Sequence, residues 1–370
     1  MKEIQFNIGN NLIPFQIGKG ILDTSLENFK GTGDTYFIIS DKTIERLYRS
    51  YISEIFVRKH IMFHWVCIDV AEPSKDFEQL NSLCTNLLDN GCLRSSTIIA
   101  LGGGVLGNIA GLAASLVYRG IKLIHIPTTL LAMHDSVTSC KQAINHAGAK
   151  NIIGSYYQPE KVIIDTTFLQ TLPRKQIISG KAELVKNALI FGGEDYEKVS
   201  LLLGCNSEEA MLKLIELGID AKNRLLKNDP YEKKEAIVFE YGHTIGHAIE
   251  LFSEGRLTHG ESVAWGMMIA GEVSNKLGVL SDEHLLKHHE IINRLAVPKI
   301  SFDLNLDKIM ELALKDNKRG YITSNDHEIP MLLLKEVGKI LFDKENQSYL
   351  VNVPIVTIQE SIQKLFQNGK

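Results

Sequence analysis

No stretch of about 18 consecutive apolar residues occurs in the chain, so nothing in it reads as a membrane-spanning helix. The opening segment MKEIQFNIGN lacks the apolar core of a secretory signal, and a cytoplasmic protein with no membrane partner is expected. Long runs of one charge are also missing. The net charge of -4 is dispersed over 40 basic and 44 acidic residues, leaving neither a basic stripe for nucleic acid nor a polybasic lipid patch. A small-molecule substrate is expected instead. Cysteine is scarce and unpaired: Cys67, Cys84, Cys92, Cys140 and Cys205 are odd in number, widely spaced and free of CxxC pairs. That argues against a disulfide framework or a thiolate zinc site, and predicts reduced cysteines mostly in the core. Internal repeats and low-complexity linkers are absent too.

What is present is enough apolar material, 44% of 370 residues, to fill two ordinary domains. The first part alternates short apolar runs with helical patterns: TYFIIS (35–40), MFHWVCI (62–68), STIIAL (96–101), IKLIHIP (121–127) and KVIID (161–165). This is the βαβ signature of a Rossmann-like parallel sheet. Ahead of it, IQFNI and IPFQI flank Gly9-Asn10 and read as a β-hairpin. Beyond about residue 174 the period becomes helical, over Glu208–Leu226, Ala236–Phe252 and Glu261–Leu277. HEIPMLLLKEVGKILF and SYLVNVP then predict a few returning strands before a last helix. The expected organisation is an α/β domain over 1–174 and a mainly α-helical domain over 175–370.

STIIAL runs directly into Gly102-Gly103-Gly104 and the small-residue segment VLGNIAGLAASL. A helix that begins on glycines offers unpaired N–H groups to a phosphate, although such a turn can also serve tight packing alone. Asp41 directly follows TYFIIS, where a carboxylate can hold ribose hydroxyls or cap the helix that follows. Thr128 and Thr129, just after Pro127, can bond a nucleotide or cap a turn.

Three later segments are unusually polar for their setting: SGKAELVKNAL (179–189), FEYGHTIGHAIE (239–250) and LTHGESVAWGMM (257–268). On a helix Glu183, Lys186 and Asn187 share one face among Ala182, Val185 and Leu189, as a site or as a surface ion pair. His243 and His247 are four apart beside Gly242 and Gly246, so another element can approach the imidazoles, and spacing alone proposes both as ligands. His259 lies in Thr258-x-x-Glu261, a capping-box pattern that places it in a first helical turn. A single histidine is more often a hydrogen-bonded core or surface residue. Three within 17 positions, with a carboxylate available, point to a metal site that keeps a position open for substrate.

These blocks together resemble the dehydroquinate synthase-like sugar-phosphate cyclases. The resemblance runs through GGGVLGNIAG, RGIKLIHIPTTLLA, DSVTSCKQAIN, KNIIGSYYQP, FLQTLP, AELVKN, YGHTIGHAIE and THGE. It implies NAD bound by Asp41, Glu72, Lys75, Gly103, Gly104, Val105, Leu106, Gly107, Thr128, Thr129, Asp135, Lys150 and Asn151. It implies Zn2+ or Co2+ held by Glu183, His243 and His259, with His247 a substrate or phosphate contact, which replaces the pairing drawn from spacing. Arg119, Lys186, Asn187 and Lys222 are then expected to face a sugar phosphate, with Lys141 and Glu240 as catalytic groups, in a homodimer.

The departures from dehydroquinate synthase narrow the substrate. Where that enzyme resembles RxLLNFGHT this chain reads AIVFEYGHT, with Ala236 in place of the arginine and Glu240 in place of the asparagine. An arginine fork is the natural partner of a carboxylate, so its loss disfavours a carboxylated heptulosonate and suits a neutral sugar phosphate such as glucose 6-phosphate. Glu240, DNKRGYI (316–322) and Asn108 resemble the branch that forms 2-deoxy-scyllo-inosose, whereas His134 matches neither pattern. The rivals are dehydroquinate synthase or another cyclase and, in a different class, a metal-dependent alcohol or glycerol dehydrogenase. A non-catalytic subunit is disfavoured by intact Lys141, Glu183, Glu240, His243 and His259.

Overall fold

The computed structural model describes residues 1–27, 29, 35–70, 74–147, 149–316, 318 and 320–367. They form two compact units, Met1–Leu172 with Lys222–Tyr231, and Pro173–Ala221 with Glu232–Lys370.

In the first unit β1 (Lys2–Ile8) and β2 (Asn11–Gly18) form the expected hairpin. Its two-residue loop has positive φ at Gly9 (58°) and not at Asn10, as in a type II′ turn. The short α1 (Leu22–Ser25) leads to β3 (Tyr36–Ser40), α2 (Lys42–Arg58), β4 (Phe63–Cys67) and α3 (Phe77–Asp89). Then come β5 (Thr97–Gly102), α4 (Gly104–Leu116), β6 (Lys122–Pro127) and α5 (Leu130–His134). The hairpin of β7 (Lys141–His146) and β8 (Ala149–Tyr156), which the apolar pattern did not reveal, precedes β9 (Lys161–Asp165).

The seven-stranded sheet runs β1-β2-β9-β6-β5-β3-β4, parallel except for β1–β2. Continuous apolar strands suit it because both faces are covered. On one face Phe37, Ile39, Ile98 and Ala100 pack with Leu83 and Leu87 of α3 and Ile109 and Ala113 of α4. Each large side chain so buried contributes about 1.5–3 kcal/mol. The chain goes outward from β3 to β4 and the other way from β5 to β6, so the order reverses between β3 and β5. Ligands of open α/β sheets gather at the carboxyl ends beside such a reversal, and there lie Asp41 and the glycine turn.

The second unit holds α6 (Arg174–Phe191), α7 (Gly193–Leu202), most of α8 (Glu208–Leu226), α9 (His243–Ser253), α10 (His259–Lys276), α11 (Asp282–Asn293) and α12 (Leu306–Ala313). It ends with β10 (Glu328–Leu332), β11 (Leu334–Glu336), β12 (Lys339–Ile340), β13 (Leu350–Pro354) and α13 (Ile355–Gln367). These are the expected late strands and last helix, paired as two small antiparallel ribbons.

Three expectations need correction. The helix read over Ala236–Phe252 is broken: a 3-10 segment covers Glu235–Glu240, Gly242 turns left-handed (φ 78°), and α9 begins at His243. The apolar pattern ran through because the 3-10 segment buries Ala236, Ile237, Val238 and Phe239 just before α9 buries Ile245, Ala248 and Ile249. Residues Lys222–Tyr231, assigned to the second domain, belong with the first, where Asn7 bonds Asn223 and the Gly9 amide donates to Leu226 O. Among the cysteines, all free, Cys92 and Cys140 are buried but Cys67 and Cys205 are exposed.

α9 and α10 touch backbone to backbone, as Gly242 and Gly246 had foreshadowed. A Cβ on Gly266 would lie 2.0 Å from Gly242 O and 2.9 Å from Gly246 Cα. Gly266→Ala must therefore push apart the helices that carry His243 and His259. We expect a loss of about 1–3 kcal/mol in denaturant unfolding; unchanged stability would contradict this packing.

Candidate active site

In the first unit, the N-terminus of α4 is capped by Gly103 with no side-chain hydrogen bond. The first amides of a helix have no partners within it, so those of Gly104, Val105 and Leu106 are available to an anion, whereas Gly107 N already donates to Gly103 O at 2.9 Å. Side chains would crowd the turn: a Cβ on Gly103 would meet Thr129 Cγ2 at 3.2 Å, and one on Gly104 would meet Ser136 Oγ at 2.7 Å, so the neighbour would have to shift. Such a cradle fits a dinucleotide pyrophosphate.

Thr128 is buried directly after β6, and Thr129 caps α5 by accepting from Ala132 N at 3.2 Å. Asp41 caps α2, and both of its bonds, from Thr43 N (2.7 Å) and Ile44 N (2.9 Å), fall on the single oxygen Oδ1. Lys75, buried, donates to Asn108 Oδ1 at 3.0 Å and to Asn151, which sits at φ 53°. Lys150 is half-buried on β8 and Lys141 on β7. Glu72 lies outside the described residues.

Lys222 and Asp135, expected on different ligands, instead pair with each other at 2.8 Å. Next to Asp135, His134 is wholly buried at the end of α5. Arg119 is not brought to the glycine turn. It is exposed at the other end of α4, about 20 Å along a helix of 13 residues, in the left-handed region with Tyr118 (φ 64° and 52°).

In the second unit three helices converge. Glu183, Lys186 and Asn187 stand on one buried face of α6, so the surface ion-pair alternative is excluded. Thr258 and Glu261 form the predicted capping box and set His259 as the first residue of α10. Glu183, His243 and His259 offer ligand atoms all within 4.8 Å of one another. Glu183 Oε1 is 3.4 Å from His243 Nε2 and 3.5 Å from His259 Nε2, yet is buried without a hydrogen bond of good geometry. The opposite ring nitrogens are committed elsewhere: His243 Nδ1 lies 3.1 Å from Tyr241 O, and His259 Nδ1 3.0 Å from Glu250 Oε2. An unsatisfied carboxylate oxygen faced by two Nε2 atoms is the donor set of an open zinc- or cobalt-type site.

The electrostatics agree. Burial alone would raise the Glu183 carboxyl, but the Lys186 ammonium and His243 outweigh it and hold it well below the usual range. Burial lowers His243, reinforced by Lys186. At His259 burial is overcome by Glu250 and Glu183, which push it up to about 10. The carboxylates thus favour a cation at this imidazole.

His247 is not part of this set. Its ring lies 5.2 Å from that of His243 and 5.8 Å from that of His259, but its Nδ1 pairs with Asp316 Oδ2 at 3.1 Å. The spacing-based pairing of His243 with His247 as ligands is therefore not what the helices bring together. Lys318, whose contacts went unread within DNKRGYI, is buried between Asp316 Oδ1 (2.6 Å) and Glu240 Oε2 (3.3 Å). Burial opposes its charge, but the two carboxylates raise its pKa, while Lys318 and His247 hold Asp316 down at about 2 against its burial. Glu240, Lys318, Asp316 and His247 thus form one chain of ionisable groups. Asn187 adds a buried amide neither of whose polar atoms has a protein partner.

Residues 65–179 match the 3-dehydroquinate synthase N-terminal family model and 180–319 the 3-dehydroquinate synthase C-terminal one. The chain belongs to the 3-dehydroquinate synthase-like family, the sugar-phosphate cyclases. Its relatives within that family include 2-deoxy-scyllo-inosose synthases. That of Micromonospora echinospora is 36% identical over 98% of this chain and 92% of its own, and that of Niallia circulans 37% over 95% and 96%. A crystal structure of 2-deoxy-scyllo-inosose synthase complexed with carbaglucose-6-phosphate, NAD+ and Co2+ superimposes with TM-score 0.91 at 36% identity, covering 98% of this chain and 100% of that one. Among the described residues no helix is long and apolar enough to cross a membrane.

Proposed function

We propose that this chain is a 2-deoxy-scyllo-inosose synthase, converting D-glucose 6-phosphate to 2-deoxy-scyllo-inosose and phosphate for aminocyclitol biosynthesis. The observation that carries the substrate assignment is at the 3-10 segment before α9. Ala236 is fully buried and offers only a methyl group where a carboxylate-binding arginine would stand, while Glu240 places a carboxylate against Lys318. A carboxylated sugar would meet negative charge there without a guanidinium fork.

The conversion has no net redox change: the sugar is oxidised at carbon 4, which acidifies carbon 5, and loses phosphate from carbon 6. It is then reduced, opens, and closes a carbocycle by intramolecular aldol addition. By its eliminating step the enzyme is a carbon–oxygen lyase. When bound, NAD supplies a hydride acceptor and donor, and a divalent metal supplies a Lewis acid for vicinal sugar oxygens. Glu183, His243 and His259 would hold the metal, and the glycine cradle with Asp41, Thr128 and Thr129 the NAD. Lys186, Asn187 and His247 are assigned to the sugar phosphate, whose charge Lys186 counters. Lys222 and Arg119 are assigned to it, and Lys141 to catalysis as a hydrogen-bond donor or proton relay, on family resemblance alone, as is assembly into a homodimer. NAD and a phosphorylated sugar fit a cytoplasmic enzyme.

Glu240 is assigned as the acid/base of elimination and enol formation, with its carboxylate oriented by Lys318. Glu240→Gln keeps volume and removes the ionisable group. Phosphate release is expected to slow about 10²–10⁴-fold, with NAD and metal affinities little changed. Undiminished release, read by an inorganic phosphate assay, would take Glu240 off the catalytic list.

A further inference from the structure

We propose that Glu250 is the positioning residue that sets the metal affinity of His259. The inference rests on the reading of Glu183, His243 and His259 as a metal set. His259 is the most exposed of the three, its side chain 31% accessible against 9% for His243 and 0% for Glu183. As the first residue of α10 it has no helical turn behind it to fix the ring. Glu250 supplies the missing constraint from α9. Its Oε2 lies 3.0 Å from Nδ1, so it can hold a proton on that nitrogen and leave Nε2, which faces Glu183 Oε1 at 3.5 Å, as the nitrogen that gives up its proton to a metal.

The Glu250 side chain is only 13% accessible, and a charge so placed is costly unless paired, which separates it from an incidental surface contact. The other ligand is oriented differently. His243 Nδ1 faces the backbone carbonyl of Tyr241, whose buried hydroxyl lies 2.9 Å from His288 Nε2. One imidazole is thus fixed by a neutral carbonyl and the other by a charged acceptor, which makes its ring the stronger donor. The competing reading, an ion pair that merely ties α9 to α10, requires no effect on the metal.

The test is Co2+ titration of chelator-stripped protein against a chromophoric competitor, with the visible Co2+ spectrum and the circular dichroism of each variant. E250A is expected to bind Co2+ about 10–100-fold more weakly, with a shifted spectrum. E250Q keeps an acceptor without the charge, so it should rescue the spectrum and part of the affinity. Co2+ affinity and spectrum of E250A unchanged from the parent would overturn the proposal. If E250A does not fold, E250Q carries the test: several-fold weaker binding with the parental spectrum supports it, and parental affinity overturns it. A parent chain that takes up no Co2+ would instead overturn the metal set itself, and the positioning role with it.

Discussion

His259→Ala is expected to abolish bound metal together with cyclase activity, whereas His247→Ala retains the metal. His259 Nε2 faces the buried, unsatisfied Glu183 Oε1, while His247 is turned to Asp316 and lies outside the converging set. The loss should exceed the roughly 10–100-fold expected of a partner such as Glu250, because a ligand atom is removed and not only its orientation. His243→Ala and Glu183→Ala should behave alike, but the latter also strands the Lys186 ammonium, about 1% accessible as a residue, and can cost about 3–5 kcal/mol of stability. His259→Ala is thus the cleaner variant. Elemental analysis of purified protein gives the answer. Normal occupancy in His259→Ala with none in His247→Ala would restore the helix pair suggested by spacing.

That spacing failed for a physical reason. A repeat of four identifies neighbours on one helix, but the converging donors come from α6, α9 and α10, and tertiary packing alone decides which face is shared. Gly242, left-handed between a 3-10 turn and α9, moves His243 to a helix start, and nothing in the apolar period marks that break. Only the likeness to known cyclases had named the three residues that converge. The sheet was more legible: its strands are continuous apolar runs bounded by turn residues, and KVIID begins and ends where β9 does. The glycine turn and the capping box at Thr258 were local signals too, and both formed as read. Contacts between distant segments were not. Lys222 reaches Asp135 because the end of α8 packs with the first unit, and Lys318 reaches Glu240 across 78 positions.

The substrate assignment makes the other large prediction. With Ala236 buried where a guanidinium would be needed, carboxylated heptulosonate phosphate should be turned over poorly against glucose 6-phosphate. A site built to pair a charged group typically rejects its absence by orders of magnitude, and the converse holds when the pairing group is missing and a like charge stands nearby. Side-by-side product assays at equal enzyme should show this directly. Efficient dehydroquinate formation would place the chain with the other branch of its family.

Recycling of the cofactor separates this chemistry from simple dehydrogenation. The decisive measurement supplies glucose 6-phosphate with NAD+ at a small fraction of the sugar and follows inorganic phosphate, free NADH and the mass of the product. Phosphate and a six-carbon cyclic ketone should accumulate together, far beyond the NAD+ supplied, while NADH absorbance stays near baseline. NADH released for each sugar oxidised, with the phosphate ester intact and turnover ending when NAD+ is spent, would contradict the assignment.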